Sequence, residues 1–114
     1  MAEETRHLNL RYSLLVQPRL EEIWLWNADR YGDRHATQFV DFLRQRTLRL
    51  GSDYGKGRPV PTRPSYRHMV LKKRARGHGY VVVYQVLENE VFIFDYFHTA
   101  MDWIAQLQSV TPKE

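Results

Sequence analysis

The chain has 114 residues, of which 43% are hydrophobic and 26% are charged, and these values are typical of one globular domain. It contains no cysteine, which excludes disulfide bonds and thiolate metal sites. No stretch is apolar enough to span a membrane, and residues 1–7 lack the apolar segment of a secretory signal, so we expect a cytoplasmic protein.

The net charge is +4, and the positive charges are unevenly distributed along the chain. Residues 54–87 contain no aspartate or glutamate. The lysines and arginines of this basic block are Lys56, Arg58, Arg63, Arg67, Lys72, Lys73, Arg74 and Arg76. Such a block is typical of a surface that meets a polyanion or an acidic protein. The alternative is a solvated face that only keeps the protein in solution.

The first predicted element is a half-buried strand over Leu8–Val16, in which apolar residues occupy every second position. Pro18 then fits the first turn of a helix. Two helices are expected on either side of Gly32, which ends the first, while Asp33 can cap the second.

The buried faces of these helices follow from apolar residues spaced three and four apart. In the first helix they are Leu20, Ile23, Trp24 and Tyr31, and in the second they are Ala36, Phe39, Val40, Leu43, Thr47 and Leu50. Gly51 is expected to end the second helix. The short connection predicts that the two helices fold back on each other as a hairpin.

Residues 52–64 are rich in glycine and proline and are predicted to form a loop. Three strands follow, over Tyr66–Lys73, Tyr80–Leu87 and Val91–His98, with the second as the central one. A short helix is expected within Ala100–Gln108, followed by a tail from Thr111. The predicted fold is α+β with the order β-α-α-β-β-β, a helical hairpin on a mostly antiparallel sheet and a short C-terminal helix. We expect one domain over residues 1–114, with a tail (1–7), a core (8–103) and a C-terminal extension (104–114).

Several segments, taken in order, resemble the RelE/ParE toxin superfamily, and more closely its ParE branch of plasmid-stabilisation toxins. The resemblance covers about Leu10–Trp103. The matching segments are Val16-Gln17-Pro18, Trp24-x-Trp26…Tyr31-Gly32…Ala36…Phe39…Leu43, Gly55-x-Gly57-Arg58, Tyr66-Arg67, Val82-Val83-Tyr84 and Phe97-His98-Thr99-Ala100-Met101-Asp102. The sequence departs from the family at Ala100, where ParE-like toxins usually carry arginine.

The resemblance implies the toxin of a type II toxin–antitoxin system that binds DNA gyrase and performs no chemistry. RelE-like toxins instead cleave mRNA on the ribosome, and we keep this metal-independent endoribonuclease as the alternative. Its candidate residues are Arg67, His78, Tyr96 and His98. Strand alternation predicts that Phe92, Phe94, Tyr96 and His98 share one face, so Tyr96 and His98 would point together. A nucleic-acid-binding module and an inactive toxin homologue are further alternatives.

The expected target-binding residues are Arg67, Lys72, Lys73, Arg74, His98 and Asp102. Among these and the nuclease candidates, the plainer alternatives are a solvated strand end for Lys72, Lys73 and Arg74, a turn position for His78, a packed sheet aromatic for Tyr96, and a capping or hydrogen-bonding role for His98. No metal-binding spacing and no nucleotide-binding motif is present, so no metal or cofactor is expected.

The resemblance also implies a cognate antitoxin, and toxins of this class pair as homodimers within larger toxin–antitoxin complexes. Leu25, Trp26, Phe42 and Leu48 lie outside or at the margin of the predicted buried faces and are expected to bind the antitoxin. Trp26 and Phe42 could instead pack against the C-terminal extension or the loop 52–64. The antitoxin is expected to be acidic where it meets the basic block.

Overall fold

The computed structural model describes residues 6–109, which contain five strands and four helices. The elements are β1 (Asn9–Tyr12), α1 (Val16–Tyr31), α2 (Asp33–Leu48), α3 (Leu50–Asp53), β2 (Arg58–Val60), β3 (Arg63–Leu71), β4 (Tyr80–Val86), β5 (Glu90–His98) and α4 (Trp103–Gln108). Most of the predicted N-terminal tail and the tail from Thr111 lie outside the described residues. No helix within the described range is long and apolar enough to cross a membrane.

The strands form one five-stranded sheet in the order β1-β5-β4-β3-β2. β1 is parallel to β5 and the other neighbours are antiparallel, so the predicted α+β fold with a helical hairpin, a mostly antiparallel sheet and a central β4 is confirmed. The short strand β2 lies within the segment predicted as loop. Its Pro59 pairs with Arg67 at the sheet edge, a position that tolerates a residue without an N–H.

The helical hairpin packs on one face of the sheet through α1 and α2. Its buried residues are Val16, Leu20, Ile23 and Asn27 on α1 and Ala36, Val40, Leu43 and Thr47 on α2. Tyr31, predicted to be buried, is 59% exposed. Asn27 continues the buried face instead, because its amide Nδ2 donates to the Ile23 carbonyl at 2.8 Å and is thereby satisfied.

The turn between the helices depends on Gly32, which has φ +92°, a conformation that favours glycine. Gly32 ends α1 as predicted and is also the N-cap of α2, with no side-chain capping bond. The prediction of an Asp33 cap is therefore wrong, since Asp33 is the first helical residue.

The first strand is shorter than predicted and ends at Tyr12. Ser13 is buried beyond it, where its N–H donates to the Ile93 carbonyl at 2.8 Å and its hydroxyl donates to the Phe94 carbonyl. Leu14 is 72% exposed. The predicted alternation is therefore wrong from Tyr12 onward, because Tyr12 is itself 44% exposed and the chain then turns into α1 instead of continuing along the sheet.

Gly51 was predicted to end the second helix, but it lies inside the short helix α3. The N–H of Leu8 donates to the Gly51 carbonyl at 2.8 Å, and a Cβ on Gly51 would lie 2.8 Å from the Leu8 carbonyl oxygen. The glycine is thus required by the close approach of the chain that leads into β1.

Two hydrophobic clusters lie on the two faces of the sheet. The first, under the helical hairpin, includes Leu20, Leu43, Tyr84, Ile93 and Tyr96. The second contains Val60, Val81, Val83, Phe92, Phe94, Phe97 and, from α4, Leu107. Leu107 is fully buried, so the described part of the C-terminal extension packs onto the sheet.

A β-bulge in β5 decides which of its residues face the hairpin. Val83 pairs with Asp95 and Tyr84 pairs with Ile93, which leaves Phe94 as the extra residue. Ile93 and Tyr96 consequently lie in the first cluster, whereas Phe92 and Phe94 lie in the second. The prediction that Phe92, Phe94 and Tyr96 share a face is wrong for this reason.

Candidate functional site

A cleft of about 560 Å³ opens between the helical hairpin and the loop 72–79 that joins β3 to β4. We call it the hairpin cleft. Its lining residues are Trp26, Asn27, Tyr31, His35, Phe39, Lys73, Arg74, Arg76, Gly77, His78, Gly79, Tyr80 and His98. No carboxylate is among them within the described chain, so the cleft combines aromatic rings, imidazoles and cations.

The cations of the cleft come from the loop 72–79. Lys73, Arg74 and Arg76 are exposed, and none of them forms an ion pair with another residue in the range 6–109. The loop turns sharply at Gly77, which has φ +92°, and passes closely at Gly79, where a Cβ would lie 2.2 Å from the Leu71 carbonyl oxygen. Three uncompensated cations on one short turn create a positive potential along this side of the cleft.

His98 ends β5 at the floor of the cleft. Its Nδ1 accepts the N–H of Ala100 at 3.1 Å, so the neutral imidazole carries its proton on Nε2 and can donate from there. Burial lowers the pKa of His98, and the neighbouring His78, whose ring centroid is 5.5 Å away, lowers it further. The neutral donor form is therefore favoured near pH 7.

Trp26 stands between the hairpin cleft and a second cleft of about 330 Å³ on its other side. It is 44% exposed, and the guanidinium of Arg30 lies 3.9 Å from its ring centroid. His98, 6.5 Å from Trp26 between ring centroids, lines both clefts as well. A large, half-exposed aromatic side chain in this position is typical of a binding surface.

Tyr96 is among the lining residues of the second cleft, together with His98, but its side chain is not exposed there. It is fully buried, and its hydroxyl lies 2.5 Å from the hydroxyl of Thr47 on α2. Burial raises the pKa of Tyr96 to about 12. Tyr96 and His98 thus line the same cleft, but α2 covers the Tyr96 hydroxyl, and of the two only His98 is accessible to a ligand.

Arg67 binds the backbone of the loop that precedes β2. Its Nη1 donates to the Gly57 carbonyl at 2.8 Å, while the Tyr84 hydroxyl accepts the Gly57 N–H at 3.1 Å and donates to the Tyr54 carbonyl at 2.9 Å. Arg67 is half-buried and does not line the hairpin cleft. Its side chain thus holds the 54–58 segment against the sheet.

Asp102 caps the last helix, since its carboxylate accepts the N–H of Ala105 at 3.2 Å. Lys72 is half-exposed and lies beside the cleft without lining it. Of the residues predicted to bind the target or to cleave RNA, the structure brings together Lys73, Arg74, His78 and His98.

Tyr31, His35, Arg76 and Tyr80 are among the cleft residues that were not predicted as site residues. Arg76 had a signal, because it belongs to the acid-free basic block. Tyr31 and Tyr80 were attributed to buried positions, and His35 had no distinguishing pattern.

The remaining residues predicted to bind the antitoxin lie outside both clefts. Leu25 and Leu48 are 63% and 53% exposed. Phe42 is half-buried, 6.0 Å from Phe39 between ring centroids and 5.6 Å from the guanidinium of Arg46. Their role in antitoxin binding stays a prediction. Within residues 6–109, no group of three or more histidines or carboxylates is arranged to hold a metal ion.

A helical hairpin packed on one face of a mostly antiparallel sheet is the fold expected for the RelE/ParE class of small toxins. Residues 10–103 match the family described as "ParE toxin of type II toxin-antitoxin system, parDE". The match covers most of the chain, and the chain therefore belongs to the ParE toxin family, as the sequence predicted.

Among solved structures, the chain is similar to one titled "Chromosomal ParDE TA system from P. aeruginosa". The two share 16% sequence identity with a TM-score of 0.68, and the alignment covers 80% of this chain and 95% of the other. At this identity the likeness shows a shared fold. No curated protein matches the chain.

Proposed function

We propose that this ParE toxin arrests growth in the cytoplasm by binding DNA gyrase and that a cognate antitoxin neutralises it. The observation that carries the proposal is the set of uncompensated cations, Lys73, Arg74 and Arg76, beside the half-exposed Trp26. Aromatic and arginine side chains together dominate the binding energy of protein interfaces. Membership in the ParE family supports gyrase as the target.

The positions of the nuclease candidates favour binding over catalysis. Cleavage of RNA needs a base, an acid and cations around one phosphate. Tyr96 is buried under α2 and Arg67 is engaged by Gly57, so two of the four candidates are committed to the fold. His78 and His98 lie near each other, but two imidazoles alone do not make up the set of groups that RNA cleavage needs.

The antitoxin would cover the exposed apolar side chains of the hairpin, Leu25, Trp26 and Leu48, with Phe42 at their margin. Charge complementarity requires acidic residues where it approaches the loop 72–79. The solved structure with the same fold is titled as a ParDE toxin–antitoxin system, which supports an antitoxin as partner here. A toxin homodimer within the complex is the corresponding assembly proposal.

Two assays on the purified protein test the proposal: DNA supercoiling by gyrase and translation of a defined mRNA. We expect inhibition of supercoiling and uncut ribosome-bound mRNA. Codon-specific cleavage with unaffected supercoiling would replace the gyrase proposal with the nuclease. Ala100→Arg restores the side chain usual in the family at an exposed position, so inhibition by this variant alone would identify the natural chain as an inactive homologue.

A further inference from the structure

The hairpin cleft places flat rings and cations on different sides of one opening. The rings include Trp26 and Tyr31, 6.4 Å apart between centroids, and His35, 4.7 Å from Tyr31. The cations Lys73, Arg74 and Arg76 occupy the loop side. A ligand that fills both parts must carry a planar apolar group and a concentrated negative charge.

We propose that the hairpin cleft binds a nucleoside phosphate, with the base against the rings of α1 and α2 and the phosphates against Lys73, Arg74 and Arg76. A cleft of about 560 Å³ suits a ligand of this size, since small-molecule pockets span about 300–1,000 Å³. Every nucleobase can stack on an aromatic ring, so the rings of Trp26, Tyr31 and His35 would accept any base.

The arrangement of the cations favours phosphate over carboxylate. Lys73, Arg74 and Arg76 lie within one short turn, which matches the adjacent charges of a polyphosphate or of successive phosphodiesters. The guanidinium groups of Arg74 and Arg76 present several donors in a fixed plane, and this geometry fits phosphate oxygens in a bidentate manner.

The floor of the cleft adds a neutral donor. Because His98 Nδ1 accepts the Ala100 N–H, its Nε2–H is the donor that an acceptor oxygen or a ring nitrogen of the ligand can use. Glu22, which lines the neighbouring cleft, already accepts a hydrogen bond from Arg19 at 3.1 Å.

Calorimetric titration of the purified full chain tests the proposal with ATP, adenosine and pyrophosphate, each without magnesium. ATP is expected to bind saturably and about tenfold more tightly than either fragment, because pyrophosphate lacks the stacked base and adenosine lacks the phosphates. Trp26→Ala should weaken ATP binding and leave pyrophosphate binding unchanged. Arg74→Ala with Arg76→Ala should weaken ATP binding about tenfold.

Arg44→Ala with Arg49→Ala is the matched control, because both arginines are exposed and neither lines a cleft. A short single-stranded oligodeoxynucleotide, titrated in parallel, distinguishes a free nucleotide from a strand end as the source of the nucleoside phosphate. Binding of either ligand that depends on Trp26 and the loop arginines supports the proposal, and the tighter ligand identifies the source.

Three outcomes would overturn the proposal. Equal affinity for pyrophosphate and ATP would show a bare anion surface without a base site. Tighter binding of a glutamate-rich peptide containing tryptophan would assign the cleft to a protein ligand. Absence of saturable binding by ATP and by the oligonucleotide would leave the cleft without this function. None of these results depends on gyrase or on the antitoxin, so the proposed function is tested separately.

Discussion

Arg19 on α1 donates to both carboxylate oxygens of Asp95 on β5, from Nε at 3.1 Å and from Nη2 at 3.2 Å. Asp95 is 1% exposed, and its Oδ1 also accepts the N–H of Tyr96. Two competing influences act on this carboxyl group: burial raises the pKa of Asp95, while Arg19 lowers it, and burial prevails. The pair ties the hairpin to the strand that carries His98.

Arg19→Ala should destabilise the protein by about 3 kcal/mol at pH 7, because it leaves the Asp95 carboxylate buried without its cation. A group whose folded pKa is raised contributes stability below its unfolded pKa and loses it as pH rises. Removing Arg19 raises the pKa of Asp95 further, so the loss should shrink as pH falls toward the ordinary range of aspartate. Urea unfolding of both proteins at several pH values measures this, with Arg44→Ala as the control. A loss independent of pH would show that the carboxylate is not its cause.

Tyr96→Phe should cost about 1 kcal/mol of stability and leave growth arrest intact. Thr47 donates its own hydroxyl proton to the Leu43 carbonyl at 2.7 Å, so Tyr96 is the donor in its contact with Thr47. The phenylalanine variant therefore loses one buried hydrogen bond and leaves no donor unsatisfied. Chemical unfolding and growth after induction measure the two effects. Loss of growth arrest in a folded Tyr96→Phe protein would revive a catalytic role for the hydroxyl.

Gly57→Ala should destabilise the chain by about 2 kcal/mol, since overpacking of a closed site typically costs 1–3 kcal/mol. A Cβ at Gly57 would lie 2.1 Å from the Tyr84 hydroxyl and 2.9 Å from the His68 carbonyl oxygen. Gly55→Ala is the matched control, because nothing lies within 4 Å of a Cβ at that position. Thermal unfolding of the two variants compares them, and equal melting temperatures would disprove the close packing of this loop.

Trp26→Asp should weaken antitoxin binding by at least about tenfold while changing stability little, because the side chain is already 44% exposed. Leu14→Asp introduces the same charge at a position that is 72% exposed and lines neither cleft. Its affinity for the antitoxin should match that of the natural chain. A large fall in melting temperature with unchanged affinity for Trp26→Asp would show that Trp26 supports the fold only.

The elements that the sequence predicted well are those with an unbroken apolar pattern. The hairpin has buried residues at helical spacing and β4 is a continuous apolar run, and both patterns are visible without the structure. The bulge at Phe94 arises in the pairing of β5 with β4, and the turn at Ser13 is held by a hydrogen bond to Phe94, 81 residues further along the chain. The pattern of neighbouring residues in the sequence carries no information about these distant contacts. For this reason Phe92 and Phe94 were predicted on the same face as Tyr96, although they lie on the opposite one.

In the candidate site, too, some residues could be predicted from the sequence and others could not. Lys73, Arg74 and His98 were found because charge and titratable groups are properties of the sequence itself. Arg67 and Tyr96 also have side chains that can bind or react with a ligand. In the folded protein, however, Arg67 is hydrogen-bonded to Gly57 and Tyr96 to Thr47. A reactive group that a distant partner occupies is therefore indistinguishable, in the sequence, from one that faces a ligand.

Replacement of Lys73, Arg74 and Arg76 by alanine tests the central claim most directly, with inhibition of gyrase supercoiling as the measurement. The control is alanine at Arg44, Arg49 and Lys56, exposed positions outside both clefts that remove the same amount of charge. The cleft variant should require at least about tenfold more protein for half-inhibition, the loss expected when charge-assisted contacts are removed. Equal inhibition by the cleft variant, the control and the natural chain would contradict the assignment of target binding to the hairpin cleft.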